Sequence, residues 1–258
     1  MVQITISAIL ELLMLKQSVK DKLEQLKLKG FLRTAEVSLD QMLAQGKSFE
    51  EFLDFCLDAE LNDRTNRRIE RLFSVAKFRY PNARLEHIDY ASERKIKKAD
   101  IARYANCEWI SDCRGLIISG ATGVGKSWLA CAFGAEACNR SYSAMYFNAI
   151  SLFDEISSAI TLGEIKDFKK KICSTRLLII DDFGLGGFNQ SLAPSFLEII
   201  DKQSQSGGLL ITSQVPKRLW FEQFQDPTIA DAVMDRILHR SYELEISGRS
   251  YREKIYTQ

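Results

Sequence analysis

The chain has 258 residues, 46% hydrophobic and 27% charged, with a formal net charge of +1. That composition belongs to a globular protein with room for one large domain, or for one domain of ordinary size and a small appendage. It excludes a largely disordered chain, and the near-zero charge names no partner, so any nucleic-acid signal has to be local.

The apolar run from Ala8 to Leu15 carries Glu11, follows no basic segment and is too short to span a bilayer, so neither a membrane anchor nor a signal peptide is expected. From Val19 to Phe73 the apolar residues recur at helical spacing. Gly46 is a stop signal, and Ser48-Phe-Glu-Glu51 reads as a capping box that opens the next helix. Residues 1–75 are therefore expected to form a small α-helical domain for self-association or partner contact. Between Asn62 and Arg103 there are twelve Lys and Arg against six Asp and Glu, and Phe78-Arg-Tyr-Pro81 should break the helix. Residues 76–110 read as a basic linker and the entry to a second domain.

After Gly115 the pattern changes. Short apolar runs at Leu116–Ser119, Ala144–Asn148, Leu177–Asp181 and Leu209–Ser213 alternate with helical stretches, and Tyr242–Ile246 is strand-like. Alternation of this kind predicts an α/β fold, a parallel sheet flanked by helices over 111–258. Six cysteines lie scattered with no C-x-x-C pair, and there are two histidines, so neither a zinc site nor a disulfide framework is expected. Reduced thiols point to the cytoplasm.

The segment Gly120-Ala-Thr-Gly-Val-Gly-Lys126-Ser127 matches G-x-x-x-x-G-K-[ST] between a strand and a helix, the setting in which this loop binds phosphate. Its glycines let backbone amides close around phosphate oxygens and hand them to the N-terminus of the following helix. Gly120, Ala121, Thr122, Gly123, Val124, Gly125, Lys126, Ser127 and the next residue, Trp128, are the expected ATP contacts. Lys126 would neutralise the β- and γ-phosphates, and Ser127 would ligate Mg²⁺. Leu177-Leu-Ile-Ile-Asp181-Asp182 supplies the acids at the end of a buried strand. Asp181 is the second candidate for Mg²⁺ and Asp182 for orienting the attacking water. At the end of the next strand Gln214 is the candidate γ-phosphate sensor, with Ser213 and Thr212 as rivals. Arg236 is the candidate to reach a neighbouring subunit's nucleotide, with Arg240 one turn on as its rival; Arg252 is the candidate for an in-subunit contact.

Taken in order, "LNDRTNRRIERLF", "AKFRYP", "GATGVGKS", "LLIIDDFG", "LLITSQVP", "DPTIADAVMDRIL" and "GRSYR" resemble the IstB-type helper ATPases of insertion-sequence transposition, relatives of DnaC-type helicase loaders within the AAA+ class. The resemblance runs from about Leu23 to Arg252. It implies an ATPase that assembles on duplex DNA as a homo-oligomeric ring or filament and recruits a cognate transposase. It also implies Arg236 as the finger and Arg252 as the in-subunit sensor. Asp182 stands where many AAA+ proteins have Glu, which implies slow turnover. Lys166, Lys169, Lys170 and Lys171 can face the axis of such an assembly and bind DNA phosphates without reading sequence; the basic stretch from Arg64 to Lys98 is a second candidate. A helicase loader would share the ATPase site. A small-molecule kinase would need an arginine-rich lid in place of the Thr212-Ser-Gln214 strand end, and a non-hydrolysing scaffold would have lost part of the site.

Overall fold

A computed structural model describes residues 15–90, 95–185, 189–248 and 250. It divides into two compact units between Glu70 and Arg71.

The first unit is helical: α1 (Gln17–Gln25), α2 (Lys29–Ala44) and α3 (Phe49–Ala76), with the unit division falling inside α3. The capping box forms at the head of α3, where the Glu51 amide donates to Ser48 Oγ at 3.1 Å and the Ser48 amide to Glu51 Oε2 at 2.8 Å. Phe31 and Ala35 of α2 bury against Phe52 and Cys56 of α3. Glu60 is buried at the N-terminus of α2, where helix amides lack internal partners and the dipole favours an anion. It accepts from the Gly30 and Phe31 amides at 2.7 and 3.2 Å and pairs with Arg64 at 2.6 Å. Burial raises the Glu60 pKa, but Arg64 and the two amides outweigh it and hold the carboxyl below its ordinary value.

The second unit continues with α4 (Lys98–Ala105), α5 (Glu108–Ser111), β1 (Gly115–Gly120), α6 (Lys126–Asn139), β2 (Ala144–Asn148), α7 (Ala149–Thr161), α8 (Ile165–Cys173), β3 (Leu177–Asp181), α9 (Ala193–Ser206), β4 (Gly208–Ser213), α10 (Pro227–Leu238) and β5 (Ser241–Ile246). All strand pairs are parallel, in the order β2-β3-β4-β1-β5. Period-2 alternation sends Leu116, Ile118, Ile179 and Leu210 to one face with α6, and Ile117, Leu178, Ile180 and Ile211 to the other with α7, α9 and α10. Burial on both faces is why the strands read as unbroken apolar runs.

Residues 76–110 do not form an open linker. Phe78, Ile88, Ile101, Tyr104, Trp109 and Ile110 are buried in the same core as α6. Gly134 of α6 has no side chain because the Phe78 ring and Ile179 occupy the space a Cβ would need. The density of basic residues concealed the apolar ones between them, and part of that charge is spent inside the unit. Arg84 lies 5.0 Å from the Phe73 ring and donates to the Pro81 and Ala83 carbonyls, while Arg103 lies against Tyr104 and Tyr242.

The six cysteines are free thiols. Burial pushes Cys107 and Cys138 up to about 12 and Cys131 up to about 11, so these three stay protonated and act as small apolar groups. No helix among the described residues is long and apolar enough to cross a membrane.

Candidate functional site

Because the strands are parallel, the chain leaves β1, β2, β3 and β4 at one edge of the sheet, and the chemistry-bearing residues follow. The P-loop joins β1 to α6. Gly120, Gly123 and Gly125 hold φ of +153°, +82° and +98°, which L-residues rarely adopt. A Cβ at Gly120 would also run into the Ile246 carbonyl, and one at Gly123 into the Ser250 side chain. The turn thus aims its amides, together with the N-terminus of α6, at one spot suited to an anion. Lys126 is 5% exposed and its Nζ donates to the Ala121 carbonyl at 2.8 Å, inside the loop. Val124 is buried, Ser127 is half-buried, and Trp128 packs against the α6 core.

Asp181, at the end of β3, is fully buried. Thr212 Oγ1 donates to its Oδ1 and Tyr146 OH to its Oδ2, each at 2.5 Å. Burial and the bond to Asp181 push the Tyr146 phenol well above its ordinary value, so it remains a donor. Asp182 turns out of the strand at φ +58°, a left-handed conformation that aspartate tolerates better than most residues. Its amide donates to Thr212 Oγ1 at 2.9 Å, and its Oδ2 meets Asn148 Nδ2 at 3.5 Å. Arg79 Nη1 lies 3.8 Å from Asp181 Oδ2 and 3.9 Å from Asp182 Oδ2.

The order β3-β4-β1 sets the end of β4 between the acids and the P-loop, and the three polar residues there divide the work. Thr212 braces both acids. Ser213 Oγ donates to the Phe183 carbonyl at 2.6 Å and accepts from the Val215 amide at 3.0 Å. Gln214 accepts, through Oε1, from the Thr122 hydroxyl of the P-loop. Of the three, Gln214 is the one that reaches the loop.

Ser127 and Asp181 offer an oxygen-only donor set that fits Mg²⁺. Each Asp181 oxygen accepts one hydroxyl, and a carboxylate has about four acceptor positions, so it can also take a metal-bound water. Among the described residues no group of three or more His, Cys, Asp or Glu could hold a metal; a cation here would draw its other donors from phosphate and water.

Arg236 lies elsewhere. Its Nε donates to Asp201 of α9 at 2.5 Å and its Nη1 to the Ala232 carbonyl at 2.9 Å. Arg240 donates to the Ser204 carbonyl at 3.1 Å, and its own carbonyl accepts from the Gly115 amide at the start of β1. Both arginines are therefore at the amino edge of the sheet, a strand length of roughly 17 Å from the P-loop. Arg252 lies outside the described residues; Ser250, two positions earlier, touches Gly123. On α8, Lys166, Lys170 and Lys171 are exposed, whereas Lys169 is drawn down to Glu198 of α9 at 2.7 Å.

A family model described as IstB-like ATP binding protein matches residues 21–258. The chain belongs to this family. It is 33% identical over 239 residues to a Sinorhizobium fredii protein named as an insertion sequence ATP-binding protein (y4pL), covering 93% of this chain and 97% of that one. It is 35% identical over 203 residues to the protein so named from insertion sequence IS1162 of Pseudomonas fluorescens, covering 79% and 88%. Among solved structures, the DnaC helicase loader superimposes with a TM-score of 0.55 at 21% identity over 66% of this chain and 99% of that one. AMPPCP-bound DnaA from Aquifex aeolicus gives 0.55 at 19% identity over 68% and 53%. These likenesses show the AAA+ fold for this IstB-like chain.

Sequence reading missed Arg79, Tyr146 and Asn148. The β2 residues carried a signal: polar groups at the carboxyl end of a strand that pairs Asn148 with Asp181. Arg79 carried none, because its motif reads only as a helix break.

Proposed function

We propose that the chain is an ATP-dependent, DNA-binding regulator of transposition that assembles on duplex DNA, selects the target and recruits or activates a cognate transposase. The observation that carries this reading is the conjunction of a formed P-loop and acid pair with insertion-sequence relatives that match along 93% of the chain. A helicase loader would use the same ATPase unit, but solved loaders at 21% identity support only the shared fold.

In this reading ATP lies on the P-loop amides, with Lys126 and the head of α6 against its β- and γ-phosphates. Ser127 and Asp181 would hold Mg²⁺, which neutralises charge on the phosphate oxygens. Asp182, steadied by Thr212 and Asn148, orients a water toward the γ-phosphorus; as the new P–O bond forms, the bond to ADP breaks and a proton is released. Gln214, joined to Thr122, senses the γ-phosphate. Arg236 is too far from its own P-loop to contribute there, so it serves a neighbour's nucleotide at a subunit interface. Such a cationic contact is worth about 10³–10⁵ in rate in studied cases. The short Asp182 makes turnover slow, which lets an ATP-bound assembly persist. Exposed Lys166, Lys170 and Lys171 face the DNA, and Arg252 contacts nucleotide within its own subunit.

ATP hydrolysis and particle size measured together, with and without long duplex DNA and with Lys126→Ala as control, test the proposal. Stimulation by duplex DNA and ATP-driven growth of particles are expected. Stimulation only by single-stranded DNA or a helicase would overturn it in favour of the loader reading.

A further inference from the structure

Arg79 stands at the site but has no part in the hydrolysis proposed for it. It lies on the segment that follows α3, and that segment is pinned to α6, the helix that carries the P-loop. Lys77 turns the chain at φ +52° directly after α3 ends at Ala76. The Phe78 ring then meets Phe73 edge-on, with centroids 5.9 Å apart, and fills the space beside Gly134 of α6. The amides of Arg79 and Tyr80 donate to the Cys131 sulfur, also on α6. The Arg79 side chain is thereby aimed back at the carboxyl end of β3, and its guanidinium carbon lies 5.5 Å from the centre of the Tyr80 ring.

Its two carboxylate contacts are nearly equal, 3.8 Å to Asp181 and 3.9 Å to Asp182. Both exceed hydrogen-bond length, so the attraction is one of charge and can be given up without breaking a bond. The Arg79 side chain is 44% exposed, which leaves it a path into solvent. Asp181, in contrast, is fully buried and held on both oxygens, so it cannot turn away from its neighbour. Two adjacent carboxylates repel each other, and a buried one is costly without a cation nearby. Nucleotide phosphates on the P-loop add negative charge to the same edge of the sheet. A guanidinium is charged at every working pH, so Arg79 offsets part of this charge whether or not a metal is bound.

We propose that Arg79 is the resident counter-cation of the acid pair: it offsets Asp181 and Asp182 in the metal-free chain, lets nucleotide bind ahead of Mg²⁺, and yields the acids once Mg²⁺ is bound. The inference rests on the nucleotide-site reading and adds to it an order of binding. Arg79 acts through the acids and touches no reacting atom, so its mark is a coupling between nucleotide and metal. By linkage, an arginine that strengthens metal-free binding and leaves binding of the Mg²⁺ complex unchanged must weaken Mg²⁺ binding to the nucleotide-bound chain by the same factor.

Binding of a non-hydrolysable ATP analogue to the full-length chain, titrated at low salt in EDTA and again in saturating Mg²⁺, tests it. Arg79→Ala should weaken metal-free binding about fivefold, the size expected of a partly exposed charge, and leave binding of the Mg²⁺ complex within about twofold of the parent. Arg79→Lys keeps the charge and should stay within about twofold of the parent in both conditions. The effect of Arg79→Ala should shrink as salt rises. Circular dichroism checks the fold of each variant, and a purely structural role would weaken both kinds of binding alike. Equal losses with and without metal, metal-free affinity unchanged by Arg79→Ala, a lysine variant that behaves like alanine, or a parent chain with no measurable metal-free binding would overturn the proposal. Lys126→Ala keeps the two readings apart. Binding indifferent to that change refutes the nucleotide site itself, whereas binding that needs Lys126 but not Arg79 refutes only the counter-cation.

Discussion

Replacing Thr212 by valine tests the central brace of the site. Thr212 is fully buried at the end of β4, and one hydroxyl serves both acids, donating to Asp181 at 2.5 Å and accepting from the Asp182 amide at 2.9 Å. Valine keeps the branched shape and removes both bonds. A hydrogen bond to a charged group contributes about 1.5–3 kcal/mol, and an amide left without its partner costs about 1–3 kcal/mol. Because both bonds share one hydroxyl, the two losses are not additive, and the expected loss of folding stability is about 2–5 kcal/mol. For a unit of this size that lowers Tm by roughly 5–15 °C. Asp181 would also lose the bond that fixes its direction while Tyr146 holds only the other oxygen. A directional loss of about 1.4–2.8 kcal/mol lowers ATP turnover roughly tenfold to a hundredfold. Urea unfolding, steady-state hydrolysis and nucleotide-analogue affinity should be measured side by side. Thr212→Ser keeps the hydroxyl and should recover most of both quantities. If the valine variant unfolds within about 0.5 kcal/mol of the parent and turns over within twofold, the brace carries no weight and the reasoning fails.

Arg79→Ala removes a cation 3.8–3.9 Å from both acids; because that side chain is partly exposed, the repulsion relieved is only about 1 kcal/mol. The Mg²⁺ concentration that half-saturates ATP-analogue binding should fall about fivefold, and an unchanged or higher requirement would count against the placement of this residue. Changing Lys166, Lys170 and Lys171 to alanine should weaken duplex binding and reduce the slope of log affinity against log salt by up to about 2.7; Lys169→Ala, already paired with Glu198, should change the slope least. Glu60 has a folded pKa below its unfolded one, so its stabilisation is present above about pH 4.3 and lost as pH falls through the lower folded value. Thermal melts of the parent chain at pH 7 and pH 3 should therefore differ more than those of Glu60→Gln, and equal differences would remove Glu60 from the account.

The candidate nucleotide site is legible in the sequence because its parts are local. Gly120 to Ser127 is one loop with its own backbone requirement, and a run of apolar residues ending in Asp181-Asp182 can be read without knowing the neighbours. The strands were legible for the same reason: double-sided burial writes continuous apolar runs such as Leu177–Ile180. Arg79 was not, because the contact is made across more than a hundred residues of chain, and nothing near it in sequence mentions an acid. Residues 76–110 misled for a related cause. Their apolar members are sparse and lie in short pieces, with Ile101 and Tyr104 alone at helical spacing within the brief α4 and Trp109 and Ile110 set against β4, so the charge count was the louder signal. The partners of the three polar residues at the end of β4 needed coordinates as well, since nothing in the sequence says which neighbour Thr212, Ser213 or Gln214 meets.

In the proposed assembly, a nucleotide shared between the carboxyl edge of one sheet and Arg236 of the next copy is a heterologous contact. Such a contact repeats in one direction until it closes into a ring or runs on as a filament. On that reading ATP governs how many copies join, and each copy added brings its own α8 lysines, so the grip on DNA phosphates grows with the assembly and falls with salt.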